Sequence, residues 1–545
     1  MESIINEQRY KREQEDFVSN HGGSTSQEIL LALLPNICGI LLTATIIGLL
    51  KKKPDRIIQT CIEFVLNVFP CVLCFTILSN YTITVSIIMI VMSIINFLII
   101  LDRSKNHNMN HDNNVNSKNN NNLIKRPFIT NYRALTNIIT SICILAVDFQ
   151  IFPRKYAKTE IYGYSLMDTG VGFFIISNAL VSQESRAYNN ERPKWSIFKK
   201  FSENTKNCTK NSAFLLLLGF GRFIAVEFSG YQRHITEYGI HWNFFITLAF
   251  VKIFTSTISS AISTKYSLLS GIWIIGMHEY ALSTKGIKEW ILGDSPRNDF
   301  ISANREGILS IPGYVGIYFI GIAIGKLIYT TYNTNNCHYD KTKNYYKSKK
   351  QQLSIILFGK NINIHYNKSM ILCIKLSLIS VQSCAVTLFC DFNFGVSRRL
   401  ANSGYCSWII TLSTAVLTLL LLIEIMTDVI NVICAKNSIN QSAAAAAAAR
   451  GLNKKDYKSK IKYMEKNVID DDNPLIYQCP EIFEAVNYNG LAFFLISNLL
   501  TGVINMSTKT LYVGTWQSIQ ILVLYIAVVI FFSICLYRCH IQLKL

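Results

Sequence analysis

With 545 residues, half of them hydrophobic and only 16% charged, the chain falls well short of the roughly 25% charged residues of soluble proteins. Its apolar residues gather into runs of roughly 16 to 25, each long enough to cross ~30 Å of hydrocarbon as a helix. That pattern excludes a string of soluble domains in favour of one polytopic membrane domain. A formal net charge of +19 does not speak for nucleic acid, because the Lys and Arg residues stand between apolar runs and form no aromatic-interleaved groove.

In chain order, residues 1–28 are polar, show no cleavable signal peptide and read as a lumenal segment. Residues 29–545 read as a single transmembrane domain. Its first candidate spans are Ile29–Leu50, Ile58–Leu78, Thr82–Leu101, Tyr132–Phe152, Ser165–Val181, Ser212–Val226 and Gly239–Ser260. Tyr266–Leu282, Pro312–Tyr329, Ile371–Phe389, Tyr405–Val432, Asn487–Ile504 and Thr515–Leu536 follow. The expected fold class is an all-α polytopic membrane protein of about 13 transmembrane helices. An odd number puts the termini on opposite sides.

Alternate connections are rich in Lys and Arg: residues 51–56, 103–126, 186–210, 341–368 and 436–466. The positive-inside rule makes them cytoplasmic, so the N-terminus is lumenal and the C-terminus cytoplasmic. Insertions near 103–126, 333–366 and 436–470 are of low complexity, and disorder or frayed helix is expected there. The run Ala443–Ala449 suits a short helix.

The opposite loops are short and dense in charged and aromatic residues. All six fall on the lumenal face, as one active site built from many loops requires. Asp148 ends an unbroken apolar run, where a carboxylate is costly to desolvate unless it is paired or faces a wet cavity. Pro153 ends the helix, and Lys158 can then fold back toward Asp148 as an electrophilic partner to a base. The alternative is a structural ion pair anchoring the helix end. His241 and Asn243 open the seventh span, where an imidazole is either a second candidate base or a helix-end residue bonded to a carbonyl. Arg398 and Arg399 suit a phosphate by bidentate bonds, or equally an interfacial position where arginines snorkel. Phe173, Phe174, Phe244, Phe245 and Gly172 are candidates for a cavity lining or for plain helix packing.

Most of the fifteen cysteines, such as Cys61, Cys143, Cys373 and Cys535, read as small buried hydrophobes. Cys71 and Cys74 have CxxC spacing without a second pair, so no metal site is expected. Cys390 and Cys406 flank one lumenal loop, where a disulfide is permitted.

Several strings together resemble the inositol acyltransferases of glycosylphosphatidylinositol (GPI) anchor synthesis, the family called PIG-W in mammals and GPI-anchored wall transfer protein in fungi. They are 15–20, 148–160, 163–172, 234–245, 397–402 and 489–509, in order along the chain. The resemblance implies a thirteen-helix fold and transfer of a fatty acyl group, usually palmitoyl from palmitoyl-CoA, to the inositol 2-hydroxyl of glucosaminyl-phosphatidylinositol. It maps the family's proposed catalytic pair onto Asp148 and Lys158. The motif loops also make Arg154, Lys155, Glu237, His241, Trp242, Asn243, Arg398, Arg399, Asn402, Asn20 and Asn505 candidate substrate-binding residues. Gln150 stands where the family commonly has Pro, and Lys155 where it has Arg, and loss of that proline is expected to loosen the helix end.

The implied setting is the endoplasmic reticulum membrane. The expected partners are palmitoyl-CoA as co-substrate, glucosaminyl-phosphatidylinositol and the lipid bilayer, with no cofactor, no metal, no nucleic acid and no obligate protein partner. A lipid transporter or scramblase and a non-catalytic membrane subunit remain the alternatives.

Overall fold

The structure, a computed structural model, describes residues 9–543 apart from 11, 15, 18, 20, 51–53, 107–125, 187–196, 230–234, 285, 294, 334–336, 341–344, 349–351, 358–359, 366–367 and 451–478. Each of the expected spans coincides with a helix. In order these are α1 (Ser26–Leu49), α2 (Arg56–Cys74), α3 (Thr82–Asn106), α4 (Pro127–Ala146), α5 (Thr169–Leu180), α6 (Ile197–Ser229) and α7 (Phe244–Ala261). There follow α8 (Ser267–Leu282), α9 (Arg305–Asn333), α10 (Lys368–Phe394), α11 (Ser403–Arg450), α12 (Gly490–Ser507) and α13 (Thr515–Arg538).

Among the described residues, nine helices are long and apolar enough to cross a membrane: α1, α2, α3, α7, α9, α10, α11, α12 and α13. The other four are shorter, as α5 is with 12 residues, or carry polar residues along their length. The protein is thus an all-α polytopic membrane protein.

α4 lies at the centre, packed against α5, α11, α12, α13 and the short helix Glu481–Tyr488, while α9 packs against α5, α7 and α8. The buried core includes Tyr132, Leu135, Ile142, Phe149, Tyr314, Tyr405 and Trp408. Close approach of α4–α5 to α11 uses small residues, as a side chain at Gly172 would run into Ile409. Large apolar side chains of α3, α8 and α10, such as Ile87, Leu98, Trp273, Leu378 and Phe389, are exposed. Their outer faces suit lipid.

Two expectations change. The stretch 333–366 holds two antiparallel hairpins, Cys337–Asp340 with Tyr345–Ser348 and Gln352–Leu357 with Lys360–His365, rather than frayed helix. Ile355, Ile356, Ile362 and Ile364 supply the β-branched residues that strands favour. The alanine run continues α11 to Arg450 instead of forming a separate helix, as the helix propensity of alanine allows. Much of the Asn-rich tract and residues 451–478 lie outside the described residues.

Cys390 and Cys406 are both free thiols. Cys406 instead donates to the carbonyls of Ala401 at 3.2 Å and Gly313 at 3.5 Å. Among the described residues no group of His, Cys, Asp and Glu could hold a metal ion.

Candidate active site

α4 starts at Pro127, where a missing N–H is no loss, and Glu424 of α11 accepts the Phe128 N–H at 3.1 Å. The helix stops at Ala146, short of the expected Phe152. The carbonyls left over at such an end need donors. Arg154 supplies them, its Nη2 donating to the carbonyls of Val147, Phe149 and Phe152 at 3.0, 3.1 and 2.9 Å. Its guanidinium also stacks 4.0 Å from the centre of the Phe17 ring. Arg154, expected to bind substrate, is therefore the clamp on this turn, while Gln150 beside it is exposed.

The N-terminal segment braces the loop that follows. Ser24 N–H donates to Tyr164 O at 2.7 Å and Glu160 N–H to His21 O at 3.2 Å. Gly163 sits at φ +134° with the Gly22 carbonyl where a Cβ would be, so no other residue fits without strain.

The turn and the loop together wall a cavity of about 250 Å³. Its apolar lining comes from Ile139 and Ile144 of α4, Phe173 and Phe174 of α5, Phe244 of α7 and Phe494 of α12. The rings of Phe174, Phe244 and Phe494 meet edge to face or tilted, with centroids 5.1–5.4 Å apart. Gly172 and Phe245 are not among its lining residues. Three carboxylates, Asp148, Glu160 and Glu237, and three cations, Lys158, Arg222 and Arg398, share the wall.

Asp148 is 9% exposed. Its Oδ2 accepts from Asn505 Nδ2 at 2.7 Å, which ties the turn after α4 to the end of α12. Lys158 does not pair with it. The Lys158 ammonium donates to Glu237 Oε2 at 2.6 Å, while remaining near enough to act electrostatically on Asp148. Glu237 Oε1 lies 3.7 Å from Arg398 Nη1. Arg398 Nε donates to Asp168 Oδ1 at 2.7 Å, and Asp168 Oδ2 accepts from Thr159 N at 3.2 Å and Thr159 Oγ1 at 2.7 Å. Since Thr159 follows Lys158 in the chain, the network closes on itself.

Burial by itself would raise the Glu237 carboxyl, but the cations Lys158 and Arg398 outweigh it and hold the group down at about 2. A depressed carboxyl contributes stability above its unfolded value and loses it as pH falls through the folded one. The stability advantage of the wild type over Glu237→Gln is therefore expected to be constant above the usual value of 4.5 and to fade toward about 2. Unfolding midpoints of the two proteins in detergent across that range check it.

Other expected site residues are engaged elsewhere. Lys155 donates to Asn80 Oδ1 at 3.2 Å. His241 is exposed, with its backbone N–H on Asn304 Oδ1 at 2.8 Å and its ring 5.1 Å from that of Phe223. Trp242 donates to Thr247 Oγ1 at 2.9 Å. Asn243 caps α7, accepting from the N–H groups of Phe245 and Ile246 and donating to Gly219 O, as an Asn before an apolar helix does. Arg399 turns away to Glu306 Oε1 at 2.9 Å, which also holds Arg297 at 2.6 Å. Asn402 organises its own loop, accepting from Ser397 N and Tyr405 N. None of these six lines the cavity. Asn20 lies outside the described residues.

Asp168, Thr159, Arg222, Asn498 and Thr501 belong to the cavity or its network without having been singled out by sequence. For Asn498, Thr501 and Asn505 a signal existed: polar residues at i, i+3 and i+7 in an otherwise apolar run share one helical face.

The chain matches the GWT1 family over residues 10–536. It is 29% identical to GPI-anchored wall transfer protein 1 of Candida albicans over 94% of this chain and 95% of that one. It is 33% identical to the Saccharomyces cerevisiae protein of the same name, covering 78% and 76%. It is 32% identical to glucosaminyl-phosphatidylinositol-acyltransferase PIGW of Bos taurus, covering 77% and 74%.

Proposed function

This chain belongs to the GWT1 family, and on that footing we propose that it is a membrane O-acyltransferase of GPI-anchor biosynthesis. The donor is an acyl-CoA, palmitoyl-CoA in the first instance, and the acceptor is the inositol 2-hydroxyl of glucosaminyl-phosphatidylinositol. The reaction takes place in the endoplasmic reticulum membrane, with the Asp148 side facing the lumen. The observation that carries the reading is one cavity, apolar over most of its lining, with a carboxylate and an ammonium on the same wall.

In the mechanism, Asp148 accepts the hydroxyl proton as the oxygen attacks the thioester carbonyl. Asn505 holds the carboxylate through Oδ2, which leaves Oδ1 for the acceptor. Lys158 has three N–H donors and spends one on Glu237, so others are free for the developing oxyanion or the departing thiolate. The phenylalanine-rich wall takes the acyl chain. No covalent enzyme intermediate is needed.

The test is an incubation of the detergent-solubilised full chain with labelled palmitoyl-CoA and glucosaminyl-phosphatidylinositol. The expected product is an acylated glycolipid resistant to phosphatidylinositol-specific phospholipase C. A lipid transporter would move glycolipid and consume no acyl-CoA, and that result would overturn the proposal.

A further inference from the structure

An ammonium and a carboxylate in one low-dielectric cavity attract each other strongly. Left alone, Lys158 and Asp148 would close into an ion pair, which would cover the base and use up the cation. They have not done so: no ion pair joins them, and Lys158 is instead held at 2.6 Å by Glu237, which comes from the short helix Ile235–Tyr238 between α6 and α7.

Glu237 is itself held from behind. Arg398 is 5% exposed and sits 3.7 Å from the second Glu237 oxygen. Asp168 fixes Arg398 in turn, and Thr159 bonds Asp168 through both N–H and hydroxyl. The same circuit thus anchors the Lys158 backbone, through the next residue, and its side chain, through Glu237. Both proposed substrates carry phosphate, so a carboxylate whose two oxygens already face cations is poorly suited to bind them.

We infer that Glu237 is a positioning residue that holds the Lys158 ammonium off Asp148, keeping base and cation apart with room between them for the attacking hydroxyl and the thioester carbonyl. The inference rests on the acyltransferase reading.

Its test is steady-state kinetics of the purified full chain with palmitoyl-CoA and glucosaminyl-phosphatidylinositol, folding being checked by gel filtration. Glu237→Gln is expected to lower kcat about tenfold or more, since small misplacements of a reacting group are costly, with KM for either substrate within about twofold. Glu237→Asp should recover part of kcat. In a Lys158→Ala background, whose residual rate a radiolabelled assay can follow, Glu237→Gln should cost nothing further, because residues acting as one unit are not additive.

A wild-type kcat in Glu237→Gln, a rise in KM instead of a fall in kcat, or losses that multiply in the double variant would each overturn the inference while leaving the acyltransferase reading intact. Absence of acylated product from the wild type would overturn both.

Discussion

Replacing Asp148 with Asn is expected to lower the acyl-transfer rate by roughly a hundredfold or more while leaving the protein folded. The substitution is nearly isosteric, and the new side-chain oxygen can still accept from Asn505 Nδ2, so the tie between the turn after α4 and α12 survives. What disappears is the proton acceptor for the inositol hydroxyl and the negative charge opposite Lys158. Rates measured with radiolabelled palmitoyl-CoA, alongside an unfolding midpoint, separate the two effects. A variant that acylates at the wild-type rate would remove Asp148 from the reaction.

Loss of Asp168 should have the largest effect on stability. Its carboxylate is fully buried, pairs with the buried Arg398 and accepts two bonds from Thr159. Asp168→Ala leaves the Arg398 guanidinium only its 3.7 Å contact with Glu237 and strands both Thr159 donors. Breaking a buried pair by removing one partner costs about 3–5 kcal/mol, mostly because the other charge stays behind. The expected result is a clear fall in the unfolding midpoint of the detergent-solubilised protein, together with loss of activity as Lys158 loses its backbone anchor. An unchanged midpoint would mean that water or another group compensates Arg398, and the closed network would then carry no weight.

The resemblance and the charge pattern pointed toward Asp148 and Lys158 in different ways. Asp148 was visible because a carboxylate next to six apolar residues, Ile142 to Val147, has no cheap place to go in a membrane. Lys158 was visible because Pro153 ends the helix and lets the chain turn back, and the matching motif pointed to it as well, but its true partner was not visible. Glu237 lies far along the chain, beyond two further helices, and no periodicity connects it to residue 158. The same holds for Asp168 and Arg398, which come from the start of α5 and the loop before α11. Candidates such as Asn243, Asn402 and Arg154 carried the right chemistry for binding, yet each proved to be satisfying helix ends or loop backbone. Polar side chains in a membrane protein meet that demand first, because an unpaired backbone group there is expensive.

By itself the sequence determined the helices and the general chemistry. Runs of apolar residues must be helical in hydrocarbon, since only a helix satisfies its own backbone, and this fixed the all-α polytopic architecture down to the position of nearly every helix. Tertiary structure alone decided where α4 ends, which carboxylate takes the Lys158 ammonium, and which polar residues face the cavity. Those choices depend on distances between segments remote in sequence, and on a competition between two acids for one cation that no local pattern records.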